Sequence, residues 1–144
     1  MKQILSIIVS LAFFGACAQE RPIDKSNIQL EYTSESRGFF HLILVDKETI
    51  KQSSDFNRND VDSKKCTTKQ WKKIQEHLEN IDLNKLATYK PSTENRFSDR
   101  AAHASLKVIY KDSIYGESLF DHGNPPSELK PLVELILSLA ETVE

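Results

Sequence analysis

The chain has 144 residues, of which 39% are hydrophobic and 28% are charged, and its formal net charge is −2. This length and composition are typical of one globular domain and argue against an intrinsically disordered chain. General nucleic-acid binding requires a concentrated positive field, and a chain with nearly balanced charges does not supply one. We therefore expect a single folded domain without a nucleic-acid partner.

The first 18 residues have the order of an export signal. Lys2 supplies a positive start, residues 4–14 are apolar except for two serines, and small residues follow. This apolar run is too short for a permanent membrane-spanning helix, which needs about 20 residues. The order predicts a cleavable signal peptide over residues 1–18 and therefore an exported protein.

The end of the signal segment permits two cleavage sites. Phe14-Gly15-Ala16-Cys17 resembles the lipobox of bacterial lipoproteins. The resemblance implies cleavage before Cys17, a lipid on that cysteine and attachment to a membrane through the lipid, as in small bacterial exported lipoproteins of uncharacterised function. Ala16-Cys17-Ala18 also satisfies the small-x-small rule, which gives cleavage before Gln19 and a periplasmic or secreted protein. The sequence leaves both alternatives open.

Patterning after the signal segment predicts a tether and then one domain. Residues 19–27 are polar, contain a proline and are predicted to form a flexible tether, so residues 28–144 form a single α+β domain. Alternation of apolar and polar residues is typical of half-buried strands. It predicts five strands, over residues 28–33, 39–45, 49–53, 105–110 and 114–121. Residues 54–65 show no periodicity and are predicted to form a loop.

Two amphipathic helices complete the predicted domain. Thr67 and Gln70 have the spacing of a capping box, and an apolar stripe that begins at Trp71 follows them. A second helix is predicted to begin between Ser127 and Pro131, because proline is accepted only in a first turn. The order is βββα-ββα. It predicts an antiparallel sheet of about five strands with both helices packed on one face.

The densest group of polar side chains lies in the long connection before the fourth predicted strand and at the end of the fifth. It comprises Arg96, Asp99, Arg100, His103, Asp121 and His122. Long loops held by a rigid sheet often carry binding sites, arginine pairs bind carboxylate or phosphate, and aspartate with histidine can act as acid and base. The competing interpretation is an ion-pair network that pins the loop to the domain. In that case both arginines and both aspartates lie within salt-bridge reach of one another.

The sequence contains no catalytic motif, metal-ligand spacing or glycine-rich nucleotide loop. If Cys17 is removed or acylated, Cys66 has no partner in the chain, and no disulfide is expected. We therefore expect no catalytic residue, metal or cofactor, and a non-enzymatic domain anchored by lipid to the cell envelope. Its expected partner is another envelope protein or a wall component. The alternative is a small-ligand-binding or hydrolytic domain that uses the 96–103 loop with Asp121 and His122.

Overall fold

The computed structural model of the protein describes residues 23–98 and 100–143. The predicted signal peptide, Cys17 and Asp99 lie outside these residues. The described chain is an α+β domain, as the sequence predicts. Its elements in chain order are β1 (Ile28–Ser36), β2 (Phe39–Val45), β3 (Thr49–Ser53), β4 (Asp62–Lys65), α1 (Thr68–Glu79), β5 (His103–Tyr110), β6 (Ser113–Asp121) and α2 (Lys130–Ala140). Short 3₁₀ turns span Lys25–Asn27, Leu83–Thr88 and Asn95–Ser98.

The strands form one antiparallel sheet in the order β4-β3-β2-β1-β5-β6. β1 lies in the middle, between β2 and β5. The β1–β2 hairpin turns at Gly38, whose φ of 81° lies in the left-handed region that glycine adopts without strain. The β5–β6 hairpin turns through Lys111 and Asp112, both of which have positive φ. Such a two-residue turn matches the natural twist of the two strands that it joins.

The sheet has six strands rather than about five, because part of the predicted 54–65 loop is β4. This strand pairs with β3 through Thr49 opposite Lys65 and Gln52 opposite Asp62. All four of its residues are polar, and three of them are exposed. Backbone hydrogen bonds to β3, rather than burial of alternate side chains, therefore hold it in place. A strand of this kind carries no hydrophobic alternation for a sequence to show.

The two helices cover one face of the sheet, as predicted. Directly paired residues of antiparallel strands share a face, so Leu30 of β1 lies on the same face as Val45 of β2 and Val108 of β5. These three side chains belong to one buried core with Ile74 of α1 and Ile136 of α2. Within the described strands, no side chain on the opposite face of the sheet belongs to this core. We call this uncovered side the open face of the sheet.

Both helices begin as the sequence predicts. At the start of α1, Thr67 accepts a hydrogen bond from the Gln70 N–H, and the Gln70 side chain accepts one from the Thr67 N–H, which completes the capping box. Trp71 follows on the apolar stripe and is 7% exposed. α2 has Pro131 in its first turn, where no intrahelical N–H is needed.

Residues 23–27 were assigned to the predicted tether, and they contact the domain. Ile23 is partly buried against the core. Lys25 Nζ donates a hydrogen bond to the Leu78 carbonyl oxygen, 2.6 Å away, at the end of α1. A cation is favourable there because the last carbonyl groups of a helix have no partner within the helix.

Replacing Trp71 by alanine tests this packing. We expect the substitution to lower the free energy of unfolding by about 3–5 kcal/mol, because a large buried aromatic side chain is lost from the core. Chemical denaturation followed by circular dichroism measures the change. The neighbouring Lys72→Ala, at an exposed position of the same helix, is the matched control. Equal stabilities of the two variants would show that the helix packs through another face.

Candidate functional site

The predicted polar cluster divides among three places in the structure. Arg96 and Asp121 meet in a buried ion pair. His122 turns towards Tyr32 of β1. Arg100 and His103 line an open pocket at the end of the sheet. The expectation that both arginines pair with both aspartates is therefore met in the described residues by one pair only.

Asp121 holds the long connection against the end of β6. One carboxylate oxygen accepts hydrogen bonds from Thr93 Oγ1 and the Asn95 N–H, both at 2.7 Å. The other accepts from the Arg96 N–H and from Arg96 Nη1, both at 3.1 Å. Asp121 is fully buried and Arg96 is 8% exposed. The geometry matches the structural interpretation of this pair, since both oxygens are occupied by the chain itself.

The environment of Asp121 keeps its carboxylate ionised. Burial alone would raise the pKa of Asp121, but the hydrogen bonds from Thr93, Arg96 and Asn95 outweigh it and lower the pKa to about 2. A general acid or base near neutral pH needs a pKa much closer to 7. Asp121 is therefore suited to holding the loop rather than to transferring protons.

His122 contacts other residues than Asp121, its neighbour in the chain, does. Its Nδ1 lies 2.7 Å from the Tyr32 hydroxyl, and its ring centroid lies 5.9 Å from that of Phe39. Burial raises the pKa of Tyr32 to about 12, so the hydroxyl keeps its proton. Burial, together with the nearby His41, lowers the pKa of His122 and favours the neutral form of the ring. Asp121 and His122 thus face different partners and do not form an acid–base pair.

Arg100 and His103 come together with a residue that the sequence analysis did not select. The pocket that they line has a volume of about 640 Å³ and also contains Arg37, from the β1–β2 turn. Arg100 is held by its backbone N–H, which donates to the Asn95 carbonyl oxygen at 3.2 Å. Because Asn95 is itself bound by Asp121, the buried ion pair indirectly positions Arg100.

The open face of the sheet carries a second concavity, a groove of about 500 Å³. Its floor is a charge network in which Glu31 binds Lys107 at 3.0 Å and lies 3.9 Å from Arg58. Its walls include Phe56, 70% exposed, on the β3–β4 connection, and Leu119, 59% exposed, on β6. His103 lines both this groove and the arginine pocket, so the two concavities adjoin.

The groove residues were missed because they are far apart in the sequence. Glu31 on β1 and Lys107 on β5 are 76 positions apart in the sequence, and they are direct partners in the pairing of these two strands. The only local signal is that, in each of these two strands, the charged residue lies between two apolar residues. This signal marks the face of the strand that is not in the core, but it does not identify the residue opposite.

Other chemistry has little support in the described residues. Cys66 is buried, and burial, with Asp46 nearby, raises the pKa of its thiol, which disfavours the reactive thiolate. Across residues 23–98 and 100–143, no group of three or more His, Cys, Asp or Glu side chains is arranged to hold a metal ion. In the same part of the chain, no helix has the length and hydropathy needed to cross a membrane.

Comparison with protein-family models finds no family that matches the chain, and comparison with curated proteins finds no significant match.

The buried ion pair predicts an ordered set of stabilities. Asp121→Ala should lower the free energy of unfolding by about 3–5 kcal/mol, because it leaves the Arg96 guanidinium buried without its partner. Arg96→Ala should cost about 1–3 kcal/mol, since Asp121 keeps three hydrogen bonds from Thr93, Asn95 and the residue 96 N–H. Arg100→Ala, at an exposed position, is the control and should change stability by about 0.5 kcal/mol or less. Urea denaturation of the three variants measures this order.

Acid titration gives an independent check on the same ion pair. The folded-state pKa of Asp121 is lower than its value in the unfolded chain, so acid protonates the unfolded state first. The stabilisation is complete above about pH 4 and is lost as the pH falls towards about 2. Asp121→Asn should therefore flatten the dependence of stability on pH in this range. Parallel curves for the wild type and the variant would contradict the assignment.

Proposed function

We propose that this protein is an exported, lipid-anchored domain of the cell envelope that binds its partner, without catalysis, on the open face of its sheet. The observation that carries the binding role is the groove of about 500 Å³ on the face that the helices leave uncovered. The export role is supported by the signal-like order of residues 1–18 and by the lipobox-like residues that end at Cys17.

The composition of the groove favours recognition of another molecule. An antiparallel sheet often exposes one polar face to water, and such a face needs no large apolar side chains. Here Phe56 and Leu119 are mostly exposed, and the Phe56 ring packs edge-on against Phe40 with centroids 5.3 Å apart. Apolar side chains around a polar floor are typical of protein and ligand contact surfaces. The partner proposed for this face is another envelope protein or a wall component.

The hydrolytic alternative has less support than ligand binding. Hydrolysis by this loop would need Asp121 and His122 to face a common substrate, whereas Asp121 binds Arg96 and His122 binds Tyr32. Ligand binding by the remaining predicted residues is compatible with the geometry. Arg100 and His103 are exposed and line the pocket that adjoins the groove.

Lipid attachment is tested at Cys17. We expect Cys17→Ser to abolish incorporation of a labelled fatty acid and to shift the protein from the membrane fraction to the soluble fraction, because the lipid alone holds the domain at the membrane. Cys66→Ser is the matched control and should leave labelling intact, since Cys66 is buried in the folded domain. An intact mass that corresponds to an unlipidated wild-type protein beginning at Gln19 would contradict the anchor and support the secreted form.

Binding on the open face is tested by site-specific photo-crosslinking in cells. A photoreactive residue at position 56 or 119 should form a crosslinked product, because both side chains are mostly exposed beside the groove. The same residue at position 72, an exposed site on α1, is the control and should not. Phe56→Ser with Leu119→Ser should remove a crosslink formed from position 40 and leave the melting temperature unchanged, since exposed positions contribute little to stability. Crosslinking from position 72 alone would place the partner on the helices instead.

A further inference from the structure

The arginine pocket differs from the groove in its charge. It is lined by Ser36, Arg37, Arg100, Ala101, Ala102 and His103. Two of these side chains are guanidinium groups, one is an imidazole, and none is acidic. Glu35, adjacent to Ser36 in sequence, lines the adjoining groove rather than this pocket. Asp99, adjacent to Arg100, lies outside the described residues. Among the described residues, the lining therefore presents hydrogen-bond donors and positive charge without a carboxylate.

The two arginines reach this pocket from separate turns. Arg37 lies in the β1–β2 turn beside Gly38, and Arg100 follows the 3₁₀ turn Asn95–Ser98, which Asp121 holds. Within the part of the chain that the structure describes, neither guanidinium forms a salt bridge. Like charges that line one concavity repel each other, and a bound anion reduces this repulsion.

We propose that this pocket binds an oxyanion, a carboxylate or phosphate group, at one end of a ligand whose remainder lies along the groove. Guanidinium groups bind both anions through paired N–H donors, and the His103 ring and the Ser36 hydroxyl can each add a donor. The proposal rests on the binding function proposed above, because His103 joins the pocket to the groove.

The test is an NMR titration of the whole ¹⁵N-labelled chain with defined probes at constant ionic strength. The probes are inorganic phosphate, acetyl-trialanine with a free carboxylate, and acetyl-trialanine amide as the uncharged control. We expect phosphate or the free acid to give saturable shifts at the amides of Ala101 and Ala102 and at Nε of Arg37 and Arg100. The amide probe should give no such shifts. Whichever of the two anions binds more tightly is the group that the pocket prefers, and tight binding of either supports the proposal.

Substitutions distinguish a specific anion-binding site from a general attraction of anions to positive charge on the surface. Arg37→Gln and Arg100→Gln should each weaken binding about tenfold, because each removes a charge-assisted donor. Lys72→Gln removes one positive charge from α1 and should weaken it about twofold or less. Equal weakening by all three substitutions, or shifts spread over surface cations generally, would overturn the proposal.

Asp99 supplies a second decisive variant, because it precedes Arg100 in the chain and lies outside the described residues. If the wild type binds neither anion while Asp99→Asn does, the arginines are already neutralised within the protein and the proposal is wrong. The crosslinks from positions 56 and 119 report on the groove independently. Crosslinking without anion binding would therefore contradict the oxyanion pocket alone, and loss of both would contradict the proposed function as well.

Discussion

Two helices of 12 and 11 residues cover one face of a six-stranded sheet, and the other face must therefore be compatible with water. The buried face carries the hydrophobic core that stabilises the domain. On the open face, Glu31 is almost buried and is compensated by Lys107 and Arg58, since an uncompensated buried charge would destabilise the sheet. Because the helices cover one face of the sheet only, that face supplies the stabilising core and the other face remains available for binding.

The second constraint is the attachment of the long connection between α1 and β5. Leu83 and Leu86 bury the first part of this connection in the core, and Asp121 holds its second part. The Asp121 carboxylate accepts hydrogen bonds from the Thr93 hydroxyl, from the Asn95 N–H, and from the N–H and guanidinium of Arg96. The exposed Arg100 lies four residues after Arg96, and its backbone N–H donates to the Asn95 carbonyl oxygen. A buried structural pair therefore fixes the place of an exposed cation, which links the stability of the loop to the geometry of the proposed pocket.

The two concavities suggest a division of roles along one surface. The groove presents apolar side chains around a polar floor, and the adjoining pocket presents positive charge. Apolar contact contributes affinity in proportion to the area removed from water, whereas paired guanidinium donors determine which chemical group is accepted and in which orientation. A lipid at Cys17, as proposed, would hold this surface close to the envelope and so raise the local concentration of an envelope partner.

The sequence by itself determined the local features of this protein. Alternation located five of the six strands, and the capping box with its apolar stripe located α1 and the burial of Trp71, because these signals depend on residues a few positions apart. It could not show β4, which is polar and is held only by its pairing with β3. It also grouped Arg96, Arg100, Asp121 and His122 by proximity and charge, and it could not show that they face three different places. Only the tertiary structure decided how these four residues are distributed. It also placed Arg37 and Arg100 in one pocket and Glu31 beside Lys107. Strand pairing brings together side chains that are far apart in the chain, and their separation produces no periodic signal in the sequence.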